Sequence, residues 1–131
     1  MSAVAFSAAK IKVGDIDGLE RFYSAALGFT VTARIEDGEG PSHIREIFLG
    51  LPGGGAAQFA LIKFVNLPLP EPGEAIIALT VTDLETAIAS VLAHGGSDLT
   101  GPVDVPSHNL RIAIVADPEG HQIELISQTA A

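Results

Sequence analysis

The chain has 131 residues, which is the length of one ordinary domain. Because 47% of the residues are apolar and 18% are charged, the chain can bury a core and is not expected to be disordered. Sixteen acidic and seven basic residues give a formal charge of −9, which excludes nucleic acid and membrane surfaces as expected partners. The chain has no cysteine, which excludes disulfides and zinc fingers. It also has no long apolar run and no basic leader, and this predicts a cytoplasmic protein.

The first predicted elements are a short strand and a helix. In the strand, apolar residues alternate with Lys10 and Lys12, so the two lysines share one face. The helix has apolar residues at helical spacing: Ile16, Leu19, Tyr23, Ala26 and Leu27. Asp15 is placed to cap its start and Gly28 to end it.

The second helix lies about 68 residues further on and has the same kind of pattern. Its apolar stripe consists of Leu84, Ala87, Ile88, Val91 and Leu92. Thr82 and Glu85 have the spacing of a capping box, and Gly95 is placed to end the helix. Near the end of the chain, residues 117–120 read Asp-Pro-Glu-Gly, which predicts a type I turn joining the last two strands as a hairpin.

The second half of the chain repeats the element order of the first. The matching segments are 13–17 with 81–85, 48–52 with 114–118, and 58–62 with 121–125, at offsets of 68, 66 and 63. Each half reads strand, helix, strand, strand, strand. We therefore predict a single domain, 1–131, made of two βαβββ modules at 5–66 and 74–128, joined by a Pro-rich connector at 67–73.

Several motifs together resemble a known family. The hairpin 117–120 with Ile123-Glu124-Leu125, and at the start residues 13–15, 22–23 and 27–29, are similar to motifs of the vicinal oxygen chelate superfamily. That superfamily includes glyoxalases, bleomycin-resistance proteins and extradiol dioxygenases. The resemblance implies an α+β fold in which two βαβββ modules form a paired, incomplete barrel around a cavity, usually in a homodimer.

The resemblance also bears on metal binding. Enzymes of the superfamily hold a divalent metal from up to four inward strand positions. Carried over to this chain, those positions are Ala8, Leu61, Ile76 and Glu124. Only Glu124 can ligate, and catalytic sites normally use about three protein ligands. We therefore expect no metal and no other cofactor; the alternative is a divalent metal with displaced ligands, for which His43 and His108 are the available imidazoles.

The alternation of the strands turns all three lysines, Lys10, Lys12 and Lys63, toward the expected cavity. A cationic wall favours an anionic or carbonyl-bearing ligand, although lysines at strand ends also reach water along their apolar stems. Lys12 resembles a position at which glyoxalase-like proteins place a substrate-contacting basic residue. Glu124 has two interpretations: a former ligand now paired with a lysine, or a general base.

The predicted catalytic residue is Glu124. The predicted substrate-binding residues are Lys10, Lys12, Glu46, Phe48, Leu61, Lys63, Ile76, His108, Ile112 and Gln122. Glu46 and Phe48 enter this set because the resemblance turns their face inward, and His108 because its loop leads into a strand at the expected cavity mouth. Glu124 and Lys12 are expected to project into one cavity.

Three functions remain open at this point. The first is a metal-independent protein that binds a small molecule and either sequesters it or converts it by acid–base chemistry. The second is a metal-dependent lyase, isomerase or dioxygenase. The third is a structural or regulatory module whose cavity is filled by its own side chains. A homodimer and a small-molecule ligand are the expected partners.

Overall fold

The computed structural model describes residues 2–55 and 59–129. The chain separates into two compact units, divided between Glu71 and Pro72, here called unit 1 and unit 2. The division falls within the expected connector, 67–73; the interpretation as one domain stays a prediction. None of the described helices is long and apolar enough to cross a membrane.

Unit 1 consists of a helix and a four-stranded sheet. Its elements are β1 (Ala9–Lys12), α1 (Ile16–Leu27), β2 (Thr30–Asp37), a 3-10 turn (Gly40–Ser42), β3 (Ile44–Gly50) and β4 (Phe59–Phe64). The strand order is β1-β4-β3-β2. β1 runs parallel to β4, and the other pairs are antiparallel. This is the predicted βαβββ order.

Helix α1 begins and ends at the predicted residues. The carboxylate of Asp15 accepts a hydrogen bond from the backbone N–H of Gly18 at 3.0 Å, and Gly28 has the left-handed φ of 79° that stops a helix. Tyr23, fully buried on α1, meets the ring of Phe59 on β4 edge-on at 5.2 Å between centroids. The core of unit 1 therefore lies between α1 and one face of the sheet.

Unit 2 repeats the arrangement with one strand interrupted. Its elements are β5 (Ile76–Thr80), α2 (Leu84–Ala93), β6 (Ser97–Asp98), β7 (Val103–Val105), a 3-10 turn (Pro106–His108), β8 (Leu110–Ala116) and β9 (Gln122–Gln128). The strand order is β5-β9-β8-β6, and β7 also pairs with β8. β5 is parallel to β9, as β1 is to β4. The fold is α+β with two open sheets, as expected.

The start of α2 differs by one residue from the prediction. Asp83 caps the helix, because its carboxylate accepts the backbone N–H of Thr86 at 3.0 Å; Thr82 does not act as the cap. That hydrogen bond lowers the pKa of Asp83. From the apolar stripe, Leu84, Ile88 and Val91 are buried. Gly95 follows the helix with a φ of 94°, as predicted.

The predicted hairpin turn between β8 and β9 is confirmed. The backbone N–H of Gly120 donates to the carbonyl of Asp117 at 2.9 Å. The buried carboxylate of Asp117 also accepts the backbone N–H groups of Glu119 and His121, and the Nδ1 atom of the buried His121 ring lies 2.9 Å from it. The carboxylate thus accepts hydrogen bonds from the backbone N–H groups of the turn, which explains why an acid occupies this position.

Candidate functional site

Each sheet has one face packed on its helix and a second face, here called the open face. In the sheet of unit 1, Lys10 of β1 pairs with Ala60 of β4, and Lys12 pairs with Ile62. On the other side of β4, Phe48 of β3 is opposite Ala60, and Glu46 is opposite Ile62. Residues directly opposite each other point to the same side of a sheet. The open face of unit 1 therefore carries Lys10, Lys12, Glu46 and Phe48, the side predicted for them.

Lys10 and Glu46 form the polar centre of that face. The Nζ atom of Lys10 is ion-paired with Oε2 of Glu46, whose side chain is only 8% exposed. The same Nζ atom lies 5.4 Å from the centroid of the Phe48 ring, within the range of a cation–π interaction. Lys10 is thus held between a buried carboxylate and an aromatic ring, leaving its ammonium partly exposed.

Leu61 and Lys63 lie on the other side of the sheet, and their predicted orientation is wrong. Leu61 is opposite Ile47 and fully buried. Lys63 is opposite Arg45, which binds Asp17 of α1. Both residues therefore project from the face that α1 covers.

The physical reason is a register shift of one residue. Ile11 pairs with Leu61 in unit 1 and Leu79 pairs with Leu125 in unit 2, so the last strands of the two units match at an offset of 64 rather than 63. Ala60, not Leu61, is the counterpart of Glu124. Gln58, where the sequence match began, lies outside the described residues.

The open face of unit 2 carries Glu124 among aliphatic neighbours. Glu124 is directly opposite Ala78 on one side and Ile114 on the other. The same face also carries Ile76, Ile112 and Gln122. Among the described residues, the half-buried carboxylate of Glu124 has neither a hydrogen-bond nor an ion-pair partner. Within the described part of the chain, no lysine is ion-paired with Glu124, so its interpretation as the partner of a lysine stays a prediction.

The two candidate histidines lie apart from these faces. The Nε2 atom of His43 is 2.8 Å from a carboxylate oxygen of Glu36 on the neighbouring strand. His108 is exposed at the end of a 3-10 turn, with Nδ1 3.0 Å from the hydroxyl of Ser107. Each ring is therefore engaged locally, with a partner in its own unit.

Each helix is tied to its sheet by an ion pair that was not predicted. Arg45 of β3 donates to the carboxylate of Asp17 in the first turn of α1 at 2.9 Å, which lowers the pKa of Asp17 and raises that of Arg45. Arg111 of β8 likewise lies 2.7 Å from Glu85 in the first turn of α2, lowering the pKa of Glu85. These residues position the helices and leave the open faces untouched.

A pocket of about 250 Å³ brings Lys12 and Lys63 together in unit 1. It lies where β1 and β4 end, and residues 67–70 cover it. We call it the connector pocket. The sequence predicts that both lysines contact a ligand, but it does not predict this location, because the pattern around Leu67 and Leu69 indicates only a connector.

Comparison with known proteins decides the family. The sequence model of the glyoxalase/bleomycin resistance protein/dioxygenase superfamily matches residues 5–125. The chain belongs to this superfamily. It is 31% identical to a probable lactoylglutathione lyase of Vibrio cholerae over 92% of this chain and 88% of that protein. It is 32% identical to a lactoylglutathione lyase of Haemophilus influenzae over 88% of this chain and 87% of that one.

Solved structures of the glyoxalase superfamily agree with the fold. A glyoxalase family protein from Bacillus cereus matches with a TM-score of 0.84 at 16% identity, covering 99% of this chain and 97% of that one. The trypanothione-dependent glyoxalase I of Leishmania major matches with a TM-score of 0.72 at 25% identity, covering 95% and 87%. The expectation drawn from the sequence motifs, that the chain is of the vicinal oxygen chelate type, is confirmed.

The glyoxalase superfamily commonly uses a divalent metal, which needs several ligating side chains at one place. With the register corrected, the four family positions are Ala8, Ala60, Ile76 and Glu124, of which only the last has a ligating side chain. Within 2–55 and 59–129, no group of three His, Asp or Glu side chains comes together as a metal site would require. The described residues do not fit the family metal.

Proposed function

We propose that this chain binds a small molecule with a carbonyl or anionic group on the open faces of its sheets, without the family metal. The observation that carries the proposal is Glu124: a half-buried carboxylate without a partner among the described residues, flanked by Ala78 and Ile114. A carboxylate left unpaired beside aliphatic side chains costs stability. A donor group of a ligand would supply the partner that this acceptor lacks among the described residues.

Glu124 has two chemical roles in this proposal. As a hydrogen-bond acceptor, its carboxylate holds a hydroxyl or N–H group of the ligand. As a general base, it takes a proton from a carbon next to the ligand's carbonyl. The first role requires only an acceptor atom, whereas the second requires a basic carboxylate.

The open face of unit 1 offers a partly exposed ammonium donor to the same kind of ligand, with its charge balanced by Glu46. Lys10, fixed by Glu46 and Phe48, presents an ammonium group with little freedom left to lose on binding. Such a group suits a carbonyl oxygen or a carboxylate. We further propose that the protein acts as a homodimer in the cytoplasm, as members of the superfamily usually pair.

The test is a binding measurement on chelator-treated protein with hydroxyacetone, which carries a carbonyl, a hydroxyl that can donate to Glu124, and exchangeable hydrogens on the carbons beside the carbonyl. We expect binding by calorimetry without added metal, and Glu124→Leu should weaken it about tenfold by removing the acceptor. Glu124→Gln should bind within a few-fold of wild type but lose any proton exchange at the carbon beside the carbonyl. Glu74→Gln, which removes the same charge from an exposed site, is the matched control.

A second candidate function follows from the relatives named lactoylglutathione lyase. In that case the purified protein would contain near-stoichiometric divalent metal that resists mild chelation, and would act on lactoylglutathione only with that metal. Metal analysis combined with this assay separates the two candidates. Binding of hydroxyacetone that depends on added metal would overturn the metal-independent proposal.

A further inference from the structure

The connector pocket is formed by the way unit 1 ends. Because β1 and β4 run parallel, with Lys12 paired to Ile62, their carboxyl ends meet at one edge of the sheet. The chain leaves β4 at Phe64 and covers this edge with residues 67–70, in which two prolines alternate with Leu67 and Leu69. Proline restricts the backbone, so this cover keeps its shape at low entropic cost.

The pocket combines positive charge with apolar walls. Lys12 and Lys63 project from opposite faces of the sheet, yet both line the pocket because it lies beyond the strand ends. The Nζ atom of Lys12 is 5.5 Å from the centroid of the Phe64 ring, which forms part of the wall. The described lining residues include no carboxylate; Asp17, which lies within electrostatic reach of Lys63, is hydrogen-bonded to Arg45.

The concentration of charge is unusual for this chain. Two of its three lysines line one pocket, although the formal charge of the whole chain is −9. No described carboxylate lines the pocket, so its two lysine side chains favour an anionic occupant. The volume of about 250 Å³ is below the ~300–1,000 Å³ range of pockets for drug-sized ligands, so the occupant is small.

We propose that the connector pocket is a binding site for a small monocarboxylate with an apolar body. The carboxylate is held by Lys12 and Lys63, and the apolar body lies against Phe64, Leu67 and Leu69. This site belongs to unit 1 alone and does not depend on Glu124 or on the function proposed above.

The experiment uses phenylacetate as the probe and phenylacetamide as its neutral match, with the full chain and calorimetric titration. Phenylacetate should bind, and phenylacetamide should bind about tenfold more weakly because it lacks the charge. Lys63→Met should reduce phenylacetate affinity about tenfold, and Lys12→Met by a similar factor. Lys63→Arg should keep most of the affinity, and Leu67→Ala should reduce it a few-fold by removing apolar contact.

Arg21→Gln is the control, since Arg21 is exposed on α1, does not line the pocket, and its loss changes the net charge by the same amount. Thermal unfolding of each variant checks that it is folded. The proposal is overturned if phenylacetate does not bind at millimolar concentration, if Lys63→Met binds it as well as wild type, or if Glu124→Leu abolishes the binding. It is also overturned if inorganic phosphate competes as strongly as phenylacetate, because the apolar walls would then have no role.

Discussion

In both units an arginine on the sheet binds an acidic residue in the first turn of the helix. Asp17 and Glu85 are 68 positions apart, and Arg45 and Arg111 are 66 apart, which are two of the offsets of the sequence repeat. The strand beside each arginine adds a second carboxylate: Glu36 in unit 1 at 4.0 Å and Asp104 in unit 2 at 3.0 Å. The side of the sheet that holds the helix is thus built alike in the two units.

The open faces differ. Unit 1 carries Lys10, Glu46 and Phe48, with the charges paired, whereas unit 2 carries aliphatic residues and the unpaired Glu124. Positions that are equivalent in strand register carry different side chains: Ala60 in unit 1 corresponds to Glu124 in unit 2. Because the helix side is built alike and the open side is not, the difference between the units lies in the side chains of the open faces rather than in the fold.

The largest expected effect concerns the glycines that follow the two helices. Gly28 and Gly96 are 68 positions apart, but a Cβ atom on Gly96 would lie 2.5 Å from the carbonyl oxygen of Ala116, whereas one on Gly28 would meet nothing within 4 Å. Gly96→Ala should lower the free energy of unfolding by about 2–3 kcal/mol. Gly28→Ala should cost about 1 kcal/mol, from its left-handed φ alone. Urea denaturation measures both, and equal losses would contradict the comparison.

The next effect tests the ion pair on the open face of unit 1. Lys10→Met leaves the buried carboxylate of Glu46 without its ion-pair partner and should lower the free energy of unfolding by about 1–3 kcal/mol. Replacing Glu46 by Leu in the same chain should recover most of the loss, because no buried charge remains. Denaturation of the single and double variants decides this. A double variant no more stable than Lys10→Met would show that the pair has no structural role.

A smaller effect is expected at the helix–sheet ion pairs, and it should depend on pH in the same way in both units. Arg45 and Arg111 lower the pKa of Asp17 and Glu85, so each pair stabilises the fold above the ordinary carboxyl pKa. The stabilisation is lost as the pH falls through the lowered pKa, below about 4. Arg45→Met and Arg111→Met should therefore be less stable than wild type at pH 7, with the difference shrinking toward pH 3. A difference that grows on acidification would refute this.

The smallest effect on stability is expected at Glu124. Because this half-buried carboxylate has no partner among the described residues, Glu124→Leu should change the free energy of unfolding by no more than about 0.5 kcal/mol, or increase it slightly. Thermal unfolding without ligand is the measurement. A loss above about 1 kcal/mol would mean that Glu124 serves the structure, as Glu46 does, and would remove the main support for the proposed site.

Local signals in the sequence were sufficient for much of the fold. The start and end of α1, the hairpin at 117–120 and the order of elements follow from caps, turn residues and apolar spacing, all of which act within a few residues. The start of α2 was missed by one residue because Thr82 and Asp83 are both good caps and spacing alone does not choose between them.

The site was less predictable because side-chain direction depends on register. The last strands of the two units match at an offset of 64 rather than the predicted 63. Leu61 and Lys63 therefore lie on the helix side, since successive residues on a strand face opposite ways. The Gly-rich segment 53–55 gives no signal for where the strand resumes. The ion pairs of Arg45 and Arg111 could have been found from the repeat offsets. The connector pocket could not, because it depends on the path taken by residues 67–70.

The interruption between β6 and β7 has a consequence for self-association. Here Leu99 and the Thr100 side chain bond to the backbone of Ile114, so the outer edge of the unit 2 sheet offers no continuous row of unpaired backbone groups. Such an edge is a poor template for a strand from another molecule. In unit 1 the outer strand, β2, spans eight residues with one register shift between Val31 and Ala33, and it is largely exposed. If concentrated solutions of this protein form intermolecular β-structure, β2 is where it begins.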